Sequence, residues 1–485
     1  MLLLTLIICS CVLLVIYIMQ QLSRVRYTNN LKPVQSGLPV LGQLPMFWKK
    51  SASQAFWAVT QCFMQIDRLG KLMLGPLLPV ALVTQPDLLQ IVLTNSNLCG
   101  KPFFYDFLRL QGGLITERSV EKWRRLRKIL NPTFNNRMLT SFLPTMDYRA
   151  NKMVAKLVPL ADGQTEVDIM NFICECSLEM VFSTTMGRNA HELPGQREYL
   201  RNIEIIRDLL GERVLNANQY FEVFYRMSNA YRTDQTSREI CNKFAEKIII
   251  ERRKELEEES NIVTEKDEFK SKSLNFLDEE ISAQLHTIMT AALDTSALTI
   301  AYTCLFLTMN PEVQSKVLAE MKDVFHSPSV EVNCDTLKQL EYTDMVIKEV
   351  LRLCPVAPLI ARETSEEIVL DGVCSPKGQI LAINFYALHR RMDFWGTDPE
   401  RFDPERFRPE ECEKRHPYAY LPFSGGLRNC IGSRYAVNSM RIMLLRILQQ
   451  FELHTDLKQS DLRFKFEITL RLTEPHRVRL VKRNK

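Results

Sequence analysis

The chain has 485 residues, of which 46% are hydrophobic and 25% are charged, and its formal net charge is +5. This composition is typical of a globular protein and excludes disordered, collagen-like and low-complexity chains. The charge is too small to indicate nucleic-acid binding, and about 150 residues per domain gives a first expectation of about three domains. Thirteen cysteines, an odd number without a C-x-x-C pair, indicate reduced thiols rather than a disulfide scaffold.

The N-terminus is strongly apolar. Leu2 to Met19 carry no charged side chain, and Arg24 and Arg26 follow. A helix of this length is at the short end of what spans a hydrocarbon core of about 30 Å. No positive charge precedes the apolar run and no small-residue cleavage site follows it, which favours an uncleaved anchor over a cleaved signal. We expect a single transmembrane helix over residues 1–20, a Pro- and Gly-rich hinge over residues 21–43, and a cytosolic body.

Helical periodicity dominates the body. Lys71 to Thr84 predicts two short strands around a turn, and Gln379 to Asn384 predicts another short strand. Ser282 to Met309 has no glycine or proline and a single charged residue, Asp294. This stretch could be a second membrane span, or the apolar helix at the core of a large protein. No repeat or linker divides residues 44–485, so the sequence predicts one large domain, mainly α with small β-sheets.

The segment from Phe423 to Gly432 reads F-S-G-G-L-R-N-C-I-G. Its glycines, including Gly426, allow tight turns and close approach of the backbone to a flat ligand. Cys430 precedes a helical pattern, and a helix N-terminus stabilises a thiolate. Arg428 adds a cation beside the sulfur or beside an anionic group of a ligand. A lone cysteine is usually only a small buried apolar residue, but the spacing F-x-x-G-x-R-x-C-x-G is long and specific.

This segment resembles the haem-binding loop of the cytochrome P450 family. Glu349-Val350-Leu351-Arg352 is similar to the E-x-x-R helix of that family, and Asp403 to Phe407 is similar to its P-E-R-F segment. The resemblance implies the cytochrome P450 fold and a haem b whose iron is ligated by the Cys430 thiolate. It also implies that Glu349, Arg352 and Arg406 form a buried charge triad behind the haem loop.

The same resemblance implies further haem contacts. Trp123 and Arg127 match a W-x-x-x-R helix that reaches a haem propionate, and their i,i+4 spacing puts both on one helix face. Arg362 matches another propionate-binding arginine, and bidentate contact with a carboxylate is the physical reason for arginine there. The loop supplies the remaining predicted cofactor-binding residues, Phe423, Gly426, Arg428 and Gly432.

Ala291 to Ser296 resembles the oxygen-activation segment of the long central helix of the family. The resemblance implies that Thr295 hydrogen-bonds O2 at the haem, that Asp294 helps to relay protons to it, and that this helix belongs to the core. The usual glycine of the segment is Ala292 here. In many fatty-acid ω-hydroxylases a glutamate of this helix is esterified to haem. Because the matching residue is Ala291, we expect noncovalent haem.

Two more segments, Pro311 to Gln314 and Ala387 to Arg390, are similar to those of the fatty-acid ω-hydroxylase clan and its insect relatives. The implied activity is insertion of one oxygen atom from O2 into a hydrophobic substrate. The expected electron donor is an NADPH-dependent flavoprotein reductase, with cytochrome b5 as a second candidate, since the chain has no dinucleotide or flavin motif. The implied location is the endoplasmic reticulum membrane, with the catalytic domain in the cytosol.

The sequence leaves several functional questions open. Arg124, Arg125 and Lys128 could serve solubility, although a docking surface for an acidic electron donor is the favoured interpretation.

An O2-independent isomerase or dehydratase of the same family is an alternative function. Such enzymes often lack the acid–alcohol pair that Asp294 and Thr295 retain. A haem carrier or sensor without turnover and a multi-span membrane scaffold are rival hypotheses from different classes of protein. The substrate stays open, because a Phe- and Leu-rich channel fits lipids, hormones and foreign compounds alike.

Overall fold

The fold is taken from a computed structural model. It describes residues 19, 30–34, 37–38, 41–48, 50–75, 78–110, 112–185, 195–215, 217–220, 222–261, 278–327 and 330–483. Apart from Met19, the predicted membrane anchor lies outside the described residues, as does most of the predicted hinge.

The described part of the chain is mainly helical. Its α-helices are α1 Ala52–Met64, α2 Pro86–Thr94, α3 Val120–Leu130, α4 Asn136–Leu157, α5 Ile169–Thr185, α6 Gln196–Leu215, α7 Glu222–Arg226, α8 Asn229–Asn261, α9 Asp278–Met309, α10 Pro311–Val324, α11 Cys334–Lys338, α12 Glu341–Leu353, α13 Phe385–Leu388, α14 Met392–Trp395, α15 Pro409–Glu413 and α16 Ser433–Gln450. Short 3-10 helices are Leu44–Phe47, Ser96–Leu98, Phe103–Leu108, Asn131–Phe134, Val158–Leu160, Ala217–Tyr220, Pro404–Phe407, Pro417–Ala419, Gly426–Arg428 and Gln459–Asp461.

The strands are short and form small sheets. They are β1 Lys32–Pro33, β2 Leu69–Met73, β3 Pro79–Val83, β4 Asp162–Asp168, β5 Leu359–Glu363, β6 Ile368–Leu370, β7 Val373–Ser375, β8 Ile380–Asn384, β9 Phe451–His454, β10 Phe464–Glu467, β11 Thr469–Leu472 and β12 Arg477–Lys482. The largest sheet has the order β1-β2-β3-β8-β5, and a three-stranded sheet has the order β4-β12-β9. Strands β6 and β7, and β10 and β11, pair as antiparallel hairpins.

The sequence patterns predicted several of these elements. The two strands expected within Lys71 to Thr84 are β2 and β3, which pair antiparallel with Leu72 opposite Val80. The strand expected at Gln379 to Asn384 is β8, which pairs parallel with β3. Part of the predicted hinge is also a strand, because β1 pairs with β2 and buries the flanking Leu31 and Val34. This part of the predicted hinge therefore packs with the body of the protein.

Helix α9 runs through the centre of the molecule. Of the 18 residues in its most apolar window, 83% are buried, and the helix packs against α5, α12 and α16. It is the one helix in the described part of the chain that is long and apolar enough to cross a membrane. A helix surrounded by protein can be apolar on all sides. The burial of α9 agrees with the interpretation of Ser282 to Met309 as a core helix. One face of α9 also lines the candidate active site.

Candidate active site

A cavity of about 330 Å³ lies between α9 and the loop that precedes α16. One wall is the face of α9 that carries Thr287, Ile288, Ala291, Ala292, Thr295, Ser296 and Thr299. The opposite wall contains residues of the loop and of α16, namely Pro422, Phe423, Ser424, Arg428, Asn429, Cys430, Ile431, Gly432, Tyr435, Ala436 and Met440. Trp123 and Arg127 of α3 close one side. Most of the predicted cofactor-binding residues thus surround a single space.

The loop before α16 is tightly folded. The backbone N–H of Cys430 donates to the carbonyl oxygen of Phe423 at 2.9 Å, which closes the loop on itself. Gly426 has φ +65°, and a Cβ atom there would lie 1.8 Å from the carbonyl oxygen of Leu93 at the end of α2. Glycine is required at that position because the loop packs on α2. Gly426 therefore shapes the loop from behind, and Gly432, which caps α16, lines the cavity.

Cys430 is exposed to the cavity. Of the eleven cysteines in the described part of the chain, Cys430 and Cys412 are exposed, and only Cys430 lines the cavity. Removal from bulk water raises the pKa of the Cys430 thiol, although the backbone N–H of Gly432 and the guanidinium of Arg127 oppose this effect. The expected stabilisation of a thiolate by the loop is therefore only partial. A bound cation would supply the rest, since metal ligation deprotonates a thiol outright.

Three cations, Arg428, Lys101 and Arg362, lie close together at one end of the cavity. All three side-chain nitrogens of Arg428 are buried without a hydrogen-bond partner among the described residues, and its guanidinium lies 4.4 Å from the Trp123 ring centroid. Burial, and then the charge of Arg362, lowers the pKa of Arg428 to about 10. Burial, Arg362 and Arg428 together hold the pKa of Lys101 well below its usual range. Charges that are removed from water are normally paired with opposite charges, so we expect this cluster to bind an anionic ligand.

The three cations differ in their contact with the cavity. Lys101 and Arg428 line it, whereas Arg362 lies behind them, 3% exposed, with its Nη1 donating to the carbonyl oxygen of Ala361 at 3.0 Å. In the described part of the chain none of the three forms an ion pair with Asp or Glu. The sequence motifs predicted roles for Arg362 and Arg428 but not for Lys101.

Helix α3 places Trp123 and Arg127 at the cavity, as their spacing predicted. Arg127, however, also contacts the loop. Its two terminal nitrogens donate to the backbone and side-chain oxygens of Asn429, both at 2.7 Å, and its Nε donates to Asn131. Because Asn429 immediately precedes Cys430, Arg127 braces the cysteine loop as well as lining the cavity. No local sequence signal links residues 302 positions apart, so this contact was not predicted.

Thr295 lines the cavity, and its hydroxyl donates to the carbonyl oxygen of Ala291 at 2.9 Å. Asp294 faces away from the cavity. Its carboxylate accepts from Arg471 of β11 and from Thr469 at 3.2 Å, and lies 3.4 Å from Arg207 of α6. Although burial opposes ionisation, Arg471 and Arg207 hold the pKa of Asp294 below its usual value. The predicted acid–alcohol pair is therefore split between the two sides of α9.

The ion network around Asp294 joins three elements. Arg207 also lies 3.4 Å from Glu467, and the Glu467 carboxylate is paired with Lys465 in the β10–β11 hairpin. Burial and the charge of Glu467 raise the pKa of Asp208, on α6, to about 6. Through Arg207 the network thus connects the buried Asp294 with the buried Glu467 and with Asp208, whose side chain is half exposed.

The predicted charge triad is assembled behind the loop. Glu349 and Arg352, both fully buried on α12, form two hydrogen bonds of 2.7 and 2.8 Å. Arg406 lies 3.7 Å from Glu349, and the backbone N–H of Asp403 donates to Glu349 at 2.8 Å. Arg352 also donates to the carbonyl oxygen of His389 at 2.8 Å. The imidazole of His389 then accepts from the backbone N–H of Leu421 at 2.9 Å, so the triad is connected to the start of the cysteine loop.

Comparison with known proteins agrees with this geometry. The sequence model of the family described as Cytochrome P450 matches residues 33–480. Cytochrome P450 4V2 of Mus musculus is 34% identical over 422 residues, which cover 83% of this chain and 80% of that protein. Cytochrome P450 4V2 of Rattus norvegicus is 32% identical over 475 residues, covering 93% and 90%. Cytochrome P450 4c21 of Blattella germanica is 28% identical over 472 residues, covering 93% of each.

The fold and the relatives place this chain in the class of haem-thiolate oxidoreductases. The chain belongs to the cytochrome P450 family and is a cytochrome P450 monooxygenase. The resemblance to the cytochrome P450 family inferred from the sequence motifs is confirmed, and the relatives include proteins of both mammals and insects.

Proposed function

We propose that Cys430 binds the iron of a noncovalent haem b through its thiolate, in a monooxygenase that inserts one oxygen atom into a hydrophobic substrate. The observation that carries the proposal is the convergence of Cys430, Thr295 and the buried Arg428 on one cavity. When bound, haem supplies the O2 chemistry, and a cysteine ligand favours O–O cleavage.

The residues present fit this cofactor. The propionates of haem are carboxylates, and the three unpartnered nitrogens of Arg428, with Lys101 and Arg362, form a matching cationic cluster. Bidentate hydrogen bonds make arginine well suited to such groups. Trp123 packs against Arg428, and Phe423 and Gly432 line the cavity beside the cysteine. Ala291 also lines the cavity but has no carboxylate, which supports noncovalent attachment.

Thr295 and Asp294 are the proposed proton-handling residues. The Thr295 hydroxyl can hold or pass a proton at the cavity face of α9, and it already donates to Ala291. Asp294 can accept protons from the network that reaches Asp208 and Glu467, but its carboxylate must leave Arg471 before it can serve Thr295. General acid–base groups of this kind contribute roughly 10²–10⁴-fold to a rate. Glu349, Arg352 and Arg406 are proposed to hold the loop in place.

The proposed setting is the endoplasmic reticulum membrane, with the N-terminal apolar segment as a single-pass anchor and the catalytic domain in the cytosol. Electrons are proposed to come from an NADPH-dependent flavoprotein reductase, with cytochrome b5 as a second donor. Basic residues on the outer face of α3 support an acidic partner, since Arg124, Arg125 and Lys128 are exposed next to the cysteine loop. The apolar side chains of the cavity, including Ile288, Leu351 and Val356, support a hydrophobic substrate.

The test is the spectrum of the reduced, CO-bound protein. We expect the long-wavelength Soret band of thiolate ligation in the wild type, and its loss in Cys430→Ser. Cys412→Ser is the matched control, because Cys412 is also exposed but does not line the cavity. A Soret band typical of histidine-ligated or free haem in the wild type, or equal spectra in the two variants, would contradict the proposal.

A further inference from the structure

One buried amide joins α9 to the segment that forms part of the cavity wall. Gln284 is 7% exposed and lies on α9 one turn before Thr287, which lines the cavity. Its side-chain oxygen accepts from the backbone N–H of Leu114 at 2.9 Å, and its side-chain nitrogen donates to the carbonyl oxygen of Gly112 at 2.6 Å. A single side chain therefore satisfies both a donor and an acceptor of the segment 112–116.

Between these two contacts the segment touches α9 directly. A Cβ atom at Gly113 would lie 2.0 Å from the Thr287 hydroxyl oxygen and 3.1 Å from the carbonyl oxygen of Leu110. Any residue with a side chain would push the segment away from the helix or force Thr287 to break its hydrogen bond to Ala283, so close approach favours glycine. The Gln284 amide and Gly113 act together, one by hydrogen bonds and the other by the absence of a side chain.

The residues that follow are part of the cavity wall. Leu114 and Ile115 line the cavity, and Leu114 packs in a small cluster with Trp123 and Leu126. Their position depends on the segment 112–116, and that segment is fixed to α9 by Gln284. Because Leu114 and Ile115 line the cavity, displacement of this wall changes the shape of the space beside the proposed cofactor.

We propose that Gln284 is a positioning residue that sets the size of substrate the enzyme accepts, by holding Leu114 and Ile115 against the cavity. This inference rests on the proposed haem site and concerns the space beside it. Loss of the amide leaves the segment free to move outward, and larger ligands then fit better relative to small ones. A change equivalent to one methylene group in an apolar pocket alters binding by about tenfold or more.

The test uses Gln284→Leu and two nitrogen ligands that bind haem iron, imidazole and 4-phenylimidazole, with dissociation constants measured from the shift of the Soret band. We expect the ratio of the imidazole constant to the 4-phenylimidazole constant to rise about tenfold over the wild type. Gln284→Glu keeps the length and the acceptor but loses the donor to Gly112, and we expect a shift in the same direction. This variant decides the question if Gln284→Leu does not fold.

Gln314→Leu is the matched control. Gln314 is 4% exposed and makes the same kind of double contact, donating to the carbonyl oxygen of Leu453 at 3.0 Å and accepting from its N–H at 2.9 Å, but it does not line the cavity. The proposal is overturned by an unchanged ratio, by a shift against the larger ligand, or by an equal shift in the control. Failure of the proposed function would show separately, as a wild type without the thiolate CO spectrum.

Discussion

The free-energy cost of the Arg428 charge depends on whether an anion is bound beside it. Its three nitrogens are buried without partners among the described residues, and the nearby Arg362 adds repulsion. Stacking on Trp123 offsets part of this cost, since cation–π contact stabilises a guanidinium. A buried donor without a partner nevertheless costs about 1–3 kcal/mol, and more when it is charged. The side chain therefore destabilises the protein unless an anion is bound beside it.

We predict opposite effects of Arg428→Met on the haem-free and haem-loaded protein. The haem-free variant should be about 1–3 kcal/mol more stable to unfolding, because the unpartnered charge is gone. The haem-loaded variant should be less stable and lose haem faster. Thermal unfolding of both forms and the rate of haem transfer to an acceptor globin measure this. Arg124→Met, an exposed change on α3, should alter neither form, and a change of the same sign in both forms of Arg428→Met would contradict the prediction.

A second prediction concerns the hydroxyl group of Thr295. Its hydroxyl lines the cavity, whereas Thr303, two turns along the same helix, has the same hydrogen bond to a preceding carbonyl but is fully buried outside the cavity. Thr295→Ala should divert NADPH consumption from product to peroxide, because a hydroxyl that handles protons contributes roughly 10²–10⁴-fold. Thr303→Ala should leave coupling intact. The measurement is the ratio of product formed to NADPH consumed, and normal coupling in Thr295→Ala would exclude the proton-handling role.

At the scale of elements, the buried triad connects α12 to the segments that precede the cysteine loop. Arg352 donates to Glu349, to the carbonyl oxygen of Pro399 at 2.6 Å and to that of His389. Buried ion pairs often add little net stability, but removing one partner leaves an uncompensated charge. Together with the hydrogen bond from the Leu421 N–H to His389, this arrangement connects α12 to the start of the cysteine loop.

We predict that Glu349→Gln lowers the free energy of unfolding by about 3–5 kcal/mol, because it leaves the Arg352 guanidinium buried without a counter-charge. The matched control is Glu411→Gln, which breaks the exposed pair between Glu411 and Lys414 at the same i,i+3 spacing. An exposed pair contributes at most about 1 kcal/mol. Denaturant unfolding of the two variants tests the difference, and similar losses in both would show that burial of the pair has no special effect.

The sequence predicted elements best where the signal was local. Short apolar stretches on either side of Gly75 predicted β2 and β3. The absence of glycine and proline from Ser282 to Met309 predicted a long helix. The contacts that determine what the site does are between distant residues. Asp294 meets Arg471 177 positions away, and Gln284 meets Leu114 170 positions away. A lone arginine or glutamine has no pattern that reveals such a partner, so these contacts required the fold.

At the scale of the whole molecule, the described core is organised around α9. One large cluster of buried apolar side chains includes residues from Phe56 of α1 to Leu480 of β12, so the far ends of the described body share a core. Smaller clusters lie under α6 and α8 and beneath the large sheet. Length alone gave an expectation of three domains, but large single domains exceed that average, and the shared core explains why no linker pattern was found in residues 44–485.

The surface of α3 carries exposed basic side chains close to the cavity. Helix α3 points Trp123 and Arg127 at the cavity, and Arg124 and Lys128, each one residue further along the helix, are exposed. Because Arg127 contacts Asn429, these exposed cations lie on the helix that braces the cysteine loop. Charged surface residues affect the rate of association more than the affinity of the bound complex, and their effect falls as salt is added. An acidic electron donor guided by these charges would dock near the thiolate side of the cavity.

We therefore predict that the double variant Arg124→Glu, Lys128→Glu slows reductase-dependent turnover by roughly tenfold at low salt, through weaker steering of the donor. The loss should shrink as ionic strength rises, and turnover supported by peroxide in place of the reductase should be unchanged, because the cavity is not altered. Lys243→Glu is the control, since Lys243 is 72% exposed on α8 and does not line the cavity. An equal loss with peroxide, or the same loss at high salt, would mean that the substitutions damage the site rather than the docking of the donor.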